Sequence, residues 1–358
     1  MARHLASGVG RTLRRLAVLT SILLVAAGFL VVAPTARACA CGAPAMPDGV
    51  DATATQEIAL LSWDGRTETI EMSLDLHSTG EHGALVVPTP APATVTTGTR
   101  ATFRELAETT APRRETRRRI FGVPTLPLMS ATPFEDGTPL VLTRMRLGPL
   151  EAATLQGGST AGVQRWLSEN GFALRPEVAD TLGDYVTDGW SFTALRLVGD
   201  DLRGALQPIR LTFPSAELVY PMRMSRAART EQRVTLYIMG PHRVARSDAD
   251  RDTQVERFDF AGRIHPRDAR LAQLAHDGAY LTAFTYAADP SRITRDFTFE
   301  RAPSDEPHQR VIIEYVSDGR SVLTTLAAMT GAVLVLGILV GLAARADNRR
   351  RRIRGQRR

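Results

Sequence analysis

Cys39 and Cys41 are the only thiols of the chain and stand one residue apart. A disulfide between them is geometrically awkward, because an extended one-residue spacer holds the Cα atoms roughly 7 Å apart, at the limit that the bond tolerates. Such a bridge needs a turn at Ala40, is strained, and is easily reduced. Two thiolates this close can also chelate a soft metal such as Cu(I), but no second pair of ligands accompanies them. A lipidated Cys39 is a third reading, and Arg37 sits badly in the pattern that lipidation requires. The expectation is a disulfide of the export compartment or an inert pair that pins the amino terminus. No metal and no cofactor is expected.

Arg210 and Arg223 form a second pair of interest. Each stands in a Pro-apolar-Arg-apolar motif, Pro208-Ile209-Arg210-Leu211 and Pro221-Met222-Arg223-Met224. Alternation in a strand puts both guanidiniums opposite the packed side chains. If strands 207–213 and 218–224 pair, the two arginines make an anion clamp; otherwise each takes an acidic neighbour and dresses its strand.

Asp248, Asp250 and Asp252, with Asp259 at the closing position, have the spacing of a calcium loop. Thr253 replaces the turn glycine and an aspartate replaces the bidentate glutamate, so an acidic hairpin loop is expected instead. The sequence holds no zinc-peptidase helix motif, nucleophile elbow, phosphate loop or dinucleotide turn. Its seven histidines are scattered. All 44 basic residues are arginine, which excludes a catalytic lysine or Schiff base and reads as codon bias. No catalytic residue is assigned.

Strands and short helices must position these groups. TQEIALLSW runs to Asp64-Gly65, a hairpin turn signal. In the return strand Ile70, Met72, Leu74 and Leu76 alternate with Glu71, Ser73, Asp75 and His77, which predicts one buried and one wet face. Trp63 is expected to pack against this hairpin. Gly83–Val87 is a further strand. Thr99 caps a helix with Phe103, Leu106 and Ala107 on one face, ended by Pro112. Arg113 to Arg119 then carries five arginines around Glu115. Such a run suits an anionic lipid or wall-polymer contact, a protease-sensitive site or a partner patch, but charge runs are usually solvated and a loop is the expectation.

Four prolines between 120 and 139 predict a long connection and a subdomain boundary there. Strands are expected at Leu140–Leu147 and Leu150–Leu155. A helical hairpin follows: one helix capped by Ser159, carrying Val163, Trp166 and Leu167 and closed by Gly171, and a second opened by Pro176, carrying Val178, Leu182 and Val186. Further strands are predicted at Trp190–Val198, Gln207–Phe213, Leu218–Met224, Arg233–Met239, Tyr280–Tyr286, Ile293–Phe299 and Val311–Val316, with a short helix at Asp268–His276.

The two ends set the expected location. Residues 1–38 read as a secretory signal, with an arginine-bearing start, an apolar run from Leu16 to Val32, and Ala36-Arg37-Ala38 before the cleavage point. Residues 322–344 are an uncharged run long enough to cross a bilayer, and an arginine-rich tail, 345–358, follows. The formal charge is +6 and the pI about 9.9. Five arginines in the signal and eight in the tail against Asp347 account for more than all of it, so residues 39–344 sum to about −6. The basicity sets orientation, with the carboxyl terminus cytoplasmic; a nucleic-acid footprint is absent. No sorting motif precedes the span, so the anchor is expected to be permanent.

Several stretches resemble one bacterial family, the uncharacterised domain of unknown function 2330. They are the cysteine-containing start with QEIALLSWDGRTETIEMSL and ALVVPTPAP, then TFRELAETTAPR, then QPIRLTFPSAELVYPMRMS. The resemblance implies a signal peptide, one exported domain and a carboxyl-terminal span. It implies no activity, ligand or site residue.

The expected fold is α+β: an exported domain at 39–316 of mainly antiparallel strands with a few short helices, plus one transmembrane helix. The expected function is a membrane-anchored, extracytoplasmic, non-enzymatic binding module whose partners are the membrane and an envelope component or membrane protein. An envelope hydrolase with dispersed acidic residues and a thiol or metal role for Cys39 and Cys41 are the alternatives.

Overall fold

The computed structural model of the chain describes residues 42–47, 50, 52–78, 82–118, 151–155, 160–198, 203–205, 207–275, 279–316, 327 and 335. The signal, Cys39, Cys41, the boundary near 120–139, the strand at 140–147 and the arginine tail lie outside them. So does the span, except for Ala327 and Val335. Among the described residues no helix is long and apolar enough to cross a membrane.

In chain order the first elements are β1 (Ala43–Ala45), β2 (Ala52–Trp63), β3 (Thr67–Ser78), β4 (His82–Thr89) and β5 (Thr94–Thr97). Helix α1 (Arg100–Thr109) precedes β6 (Arg113–Arg118) and β7 (Glu151–Leu155). Helices α2 (Thr160–Glu169) and α3 (Pro176–Thr187) lead to β8 (Ser191–Val198), β9 (Arg203–Ala205), β10 (Ile209–Pro214) and β11 (Leu218–Tyr220). A 3-10 segment (Met222–Ala227) is followed by β12 (Gln232–Gly240), β13 (Val244–Arg246) and β14 (Val255–Arg263). Helix α4 (Ala269–Leu274), β15 (Tyr280–Ala288), β16 (Phe297–Arg301), β17 (His308–Gln309) and β18 (Val311–Val316) complete the series. The fold is thus mainly β-sheet with a few short helices.

The hairpin β2–β3 nucleates the largest sheet. Asp64 accepts from the backbone N–H groups of Arg66 and Thr67 at 2.9 and 2.7 Å, and Gly65 takes a φ of +93°. That conformation suits glycine because it has no Cβ. The sheet runs β17-β14-β15-β12-β2-β3-β10-β5, with β9 also on β3. Its centre is the parallel pair β12–β2. β18–β6 is also parallel, and the remaining strand pairs among the described residues are antiparallel.

The strand residues pack in layers. On one face of the large sheet, Ile58, Leu60, Tyr237, Met239 and Leu281 meet Phe103 and Leu106 of α1 and Leu271 and Leu274 of α4. On the other face, Leu61, Ile70, Met72, Leu211, Leu236 and Phe284 meet Leu85 and Val87 of β4 and Tyr220, Phe297 and Phe299 of the β11-β16-β13 sheet. The β1-β4-β8-β7 sheet in turn buries Ala84, Val86, Phe192 and Ala194 against Val163, Leu167, Val178, Leu182 and Tyr185 of α2 and α3. Helices therefore cover both outer sides of two stacked sheet layers, each buried Leu or Phe contributing about 1.5–3 kcal/mol.

This layering corrects the expected wet face of β3. Glu71 and Ser73 are buried, at 0% and 4% exposure, because α1 and α4 cover that side. The six-residue α4 is too short to persist alone. Asp268 caps it by accepting from the Leu271 N–H at 2.9 Å. Glu105 of α1 accepts from the Arg267 and Asp268 N–H groups, both at 2.7 Å.

The helical hairpin follows the expected outline, with Pro176 in the first turn of α3 and left-handed glycines Gly171 and Gly189 after the two helices. Trp63 packs on the core and donates its indole N–H to the Ser215 carbonyl at 3.0 Å. Three further expectations fail. The strand expected through Met224 stops at Tyr220, because Pro221 supplies no N–H and turns the chain into the 3-10 segment. The acidic stretch after Asp252 is not all loop: Val255–Arg263 is a strand of the large sheet. Residues 113–118 form strand β6 rather than a solvated loop.

Candidate functional site

Arg210 lies on β10, between β3 and β5, in direct register with Glu71. Its Nη2 and Nε donate to Glu71 Oε2 at 2.6 and 2.9 Å. The other carboxylate oxygen accepts from the Thr99 N–H at 2.9 Å, next to the helix cap. Gly98 leaves room for this carboxylate, since a Cβ there would stand 2.6 Å from Glu71 Oε1. Glu71 therefore ties Arg210 of β10 to the start of α1.

Arg223 lies on the 3-10 segment after Pro221, outside any sheet. Its Nε donates to Asp296 Oδ2 at 2.7 Å, its backbone N–H to Oδ1 at 2.9 Å, and its Nη2 lies 2.7 Å from Asp188. Its guanidinium carbon stands 4.2 Å from the Tyr185 ring centre, and the Tyr185 hydroxyl donates to Asp296 at 2.5 Å. Burial raises the Asp296 carboxyl despite the attraction of Arg223, and burial and then Asp296 raise the Tyr185 phenol well above its ordinary value. Burial, the largest influence, lowers the Arg223 guanidinium, but attraction to Asp296 and Tyr185 and the hydrogen bonds to Asp188 and Asp296 together outweigh it and raise the group. The strands that were to bring Arg210 and Arg223 together do not pair: β10 joins β3 and β5, whereas β11 joins β16. Each arginine is matched by carboxylates of its own, as in a fold-stabilising ion pair.

Most of the calcium-spaced acids are also engaged. Asp248 takes two bonds from Arg246, at 2.8 and 2.6 Å, and that guanidinium lies 3.6 Å from the Phe297 ring centre. Asp250 accepts from the Thr294 and Arg295 N–H groups at 2.6 and 2.8 Å. Asp259 accepts from Arg257 and Thr285. Asp248, Asp250 and Asp259 are thus drawn to three different protein sites, while Asp252 stays in solvent, 3.5 Å from Arg251. Between the stacked sheets, Tyr220 donates to the buried Glu57, and Glu68 accepts from the Val219 N–H at 3.2 Å. Both carboxylates are 0% exposed, so no substrate reaches them without rearrangement. A cavity of about 460 Å³ beside α2 is lined by Gln164, Arg165, Ser168, Phe172 and Leu174, with no carboxylate.

One surface is built differently. Parallel pairing sets Val311 beside Arg113, Ile313 beside Glu115 and Tyr315 beside Arg117, all on one face of the β6–β18 ribbon. Val311, Ile313 and Tyr315 are 40%, 37% and 54% exposed. Arg113 and Arg117 flank Glu115 at 2.7 and 3.7 Å and keep about two-thirds of their surface in solvent. On the opposite face Arg114 pairs with Glu314 at 2.5 Å. An apolar row edged by arginines is suited to an amphipathic surface, such as lipid headgroups over acyl chains.

A family model for an uncharacterized protein conserved in bacteria (DUF2330) matches residues 35–300. The chain belongs to that family. The part of the chain matched by DUF2330 contains Arg210 and Arg223 with their partners Glu71, Asp188 and Asp296, and stops before β17 and β18. No curated protein matches the chain. Among solved structures, baculovirus P35 is 7% identical over 72% of this chain and 99% of its own, with a TM-score of 0.38. A mutated baculovirus P35 after caspase cleavage is 6% identical over 69% and 99%, with a TM-score of 0.32. Likenesses this distant carry no argument about a DUF2330 protein.

Three features of this DUF2330 chain escape a reading of sequence alone. Asp188, Tyr185 and Asp296 gather on Arg223 from positions up to 111 residues apart, and no local pattern links them. Glu71 gives the polar signal of a solvated strand face, although Arg210 neutralises it. The arginine run hides a strand because arginine carries no strong strand preference. Only the alternation of Val311, Ile313 and Tyr315 hinted at an open apolar face.

Proposed function

We propose that this protein is an extracytoplasmic module held on the cell membrane by residues 322–344, with its arginine tail inside the cell, and that it acts by binding an envelope component rather than by catalysis. One observation supports the location most directly. The last strand ends at Val316, and the uncharged run begins at Val322. Five linking residues extend at most about 20 Å, so this strand is held next to whatever surface the run enters. A binding role is supported by the ion pairs of the core, whose carboxylates are taken up by arginines, N–H groups and hydroxyls rather than aimed into the cavity beside α2.

Fractionation of a bacterium expressing the full chain tests the location. The chain is expected to resist carbonate extraction, to lose its domain to protease added outside, and to keep a tag placed after Arg358. Recovery in the soluble fraction, or loss of the tag to external protease, would overturn it. Retention on isolated envelope polymers or on purified envelope proteins tests the binding role. Turnover of an envelope polymer by the purified chain would sink it.

A further inference from the structure

We propose that the β6–β18 face carrying Val311, Ile313, Tyr315, Arg113 and Arg117 lies on the anionic lipid surface of the membrane that holds the chain. The inference rests on the anchored reading and adds a second, reversible contact to it. Outside the predicted span, three of the four strongly exposed large apolar side chains among the described residues fall on this one face. Scattered exposed apolar residues need no explanation, but a row at alternate positions of one strand does.

Charge and chain direction select the occupant. Residues 39–344 sum to about −6, so a basic edge stands out against the rest of the module. Arg113 and Arg117 stand at either end of the face, 65% and 60% exposed, and share the single carboxylate Glu115. Anionic headgroups attract such arginines within a Debye length of the bilayer, while tyrosine and aliphatic side chains settle at the headgroup level. Both strands run the same way, so Arg117 and Tyr315 lie toward the end of the ribbon that leads to the span. A second copy of the chain would bring arginines against arginines, which disfavours it as the occupant.

The test uses the full chain, with Cys39 and Cys41 changed to Ser, reconstituted in vesicles of phosphatidylcholine alone or with phosphatidylglycerol. A thiol at Tyr315→Cys is reacted with a membrane-impermeant maleimide, and Asp180→Cys on the exposed side of α3 reports an uncovered position. In anionic vesicles Tyr315→Cys is expected to react at least about tenfold more slowly than Asp180→Cys. Neutral lipid, or Arg113→Glu with Arg117→Glu, should restore its reactivity. Equal rates for the two thiols in anionic vesicles, or protection indifferent to lipid charge, would overturn the proposal. Protection that persists in detergent assigns the face to a protein neighbour and also overturns it. Flotation separates the two readings: a chain that floats while Tyr315→Cys stays reactive loses only the docking, whereas one that does not float loses both.

Discussion

Arg210 on β10 and Glu71 on β3 face each other across an antiparallel register, with Nη2 2.6 Å from Oε2. Glu71 is 0% exposed and Arg210 only 15%. Removing one partner of such a pair leaves the other charge buried and typically costs about 3–5 kcal/mol. Glu71→Ala is therefore expected to lower the unfolding midpoint sharply. Glu71→Leu with Arg210→Met should recover most of the loss, because exchanging the whole pair for apolar groups is near neutral. Thermal unfolding of the two variants checks this; equal destabilisation would sink the account.

Gly98 makes a separate prediction about the same carboxylate. A methyl group at this position meets Glu71 Oε1, Cδ and Cγ at 2.6 to 2.9 Å, and Arg210 and the Thr99 N–H hold that carboxylate in place. Gly98→Ala should cost roughly 1–3 kcal/mol as overpacking. Combined with Glu71→Ala it should cost almost nothing more, a non-additivity that a double-mutant cycle reads directly.

Around Arg223 the partners should separate by charge. Tyr185→Phe removes one hydrogen bond to Asp296 and keeps the ring under the guanidinium, so a loss of about 0.5–1.5 kcal/mol is expected. Asp296→Ala leaves Arg223, 11% exposed, with only the half-exposed Asp188, and is expected to cost about 3 kcal/mol or more. Denaturation in urea distinguishes the two; a larger effect from Tyr185→Phe would contradict this network.

Stability should also carry a signature of Glu68. Burial pushes its carboxyl well above the ordinary value of 4.5, against the partial opposition of the Val219 N–H. The folded chain then holds a proton that the unfolded chain releases above about pH 4.5. The group's contribution is complete at low pH and declines as pH rises from the unfolded pKa toward the higher folded one. Glu68→Gln should match the parent near pH 4 and exceed it at pH 8. Unfolding midpoints at both values check this, and a difference that does not change with pH would rule it out.

What could be read in advance divides along lines of locality. The Asp64-Gly65 turn, the Thr99 cap and the Pro176 helix start are decided within a few residues, and all stand where expected. Burial of Glu71 is decided by α1 and α4, which are distant in sequence or end-to-end order, so alternation alone misassigned that face as wet. Pro221 ends β11 at Tyr220, although the alternation of Pro221-Met222-Arg223-Met224 reads as a continuing strand. The partners of Arg223 converge through packing of α3, the 3-10 segment and the approach to β16, which no spacing rule encodes.

The parallel pairing of β6 with β18 has a consequence for the order in which the chain is made. Synthesis delivers Arg114 first and its partner Glu314 200 residues later. Throughout that interval β6 lacks the neighbour that completes its hydrogen bonds, and an unpaired strand edge invites wrong partners. Assembly of this ribbon is therefore among the final steps of maturation, reached only as the last residues before Val322 emerge. A truncation before Val311 would leave β6 without the strand that pairs with it among the described residues, however complete the other sheets.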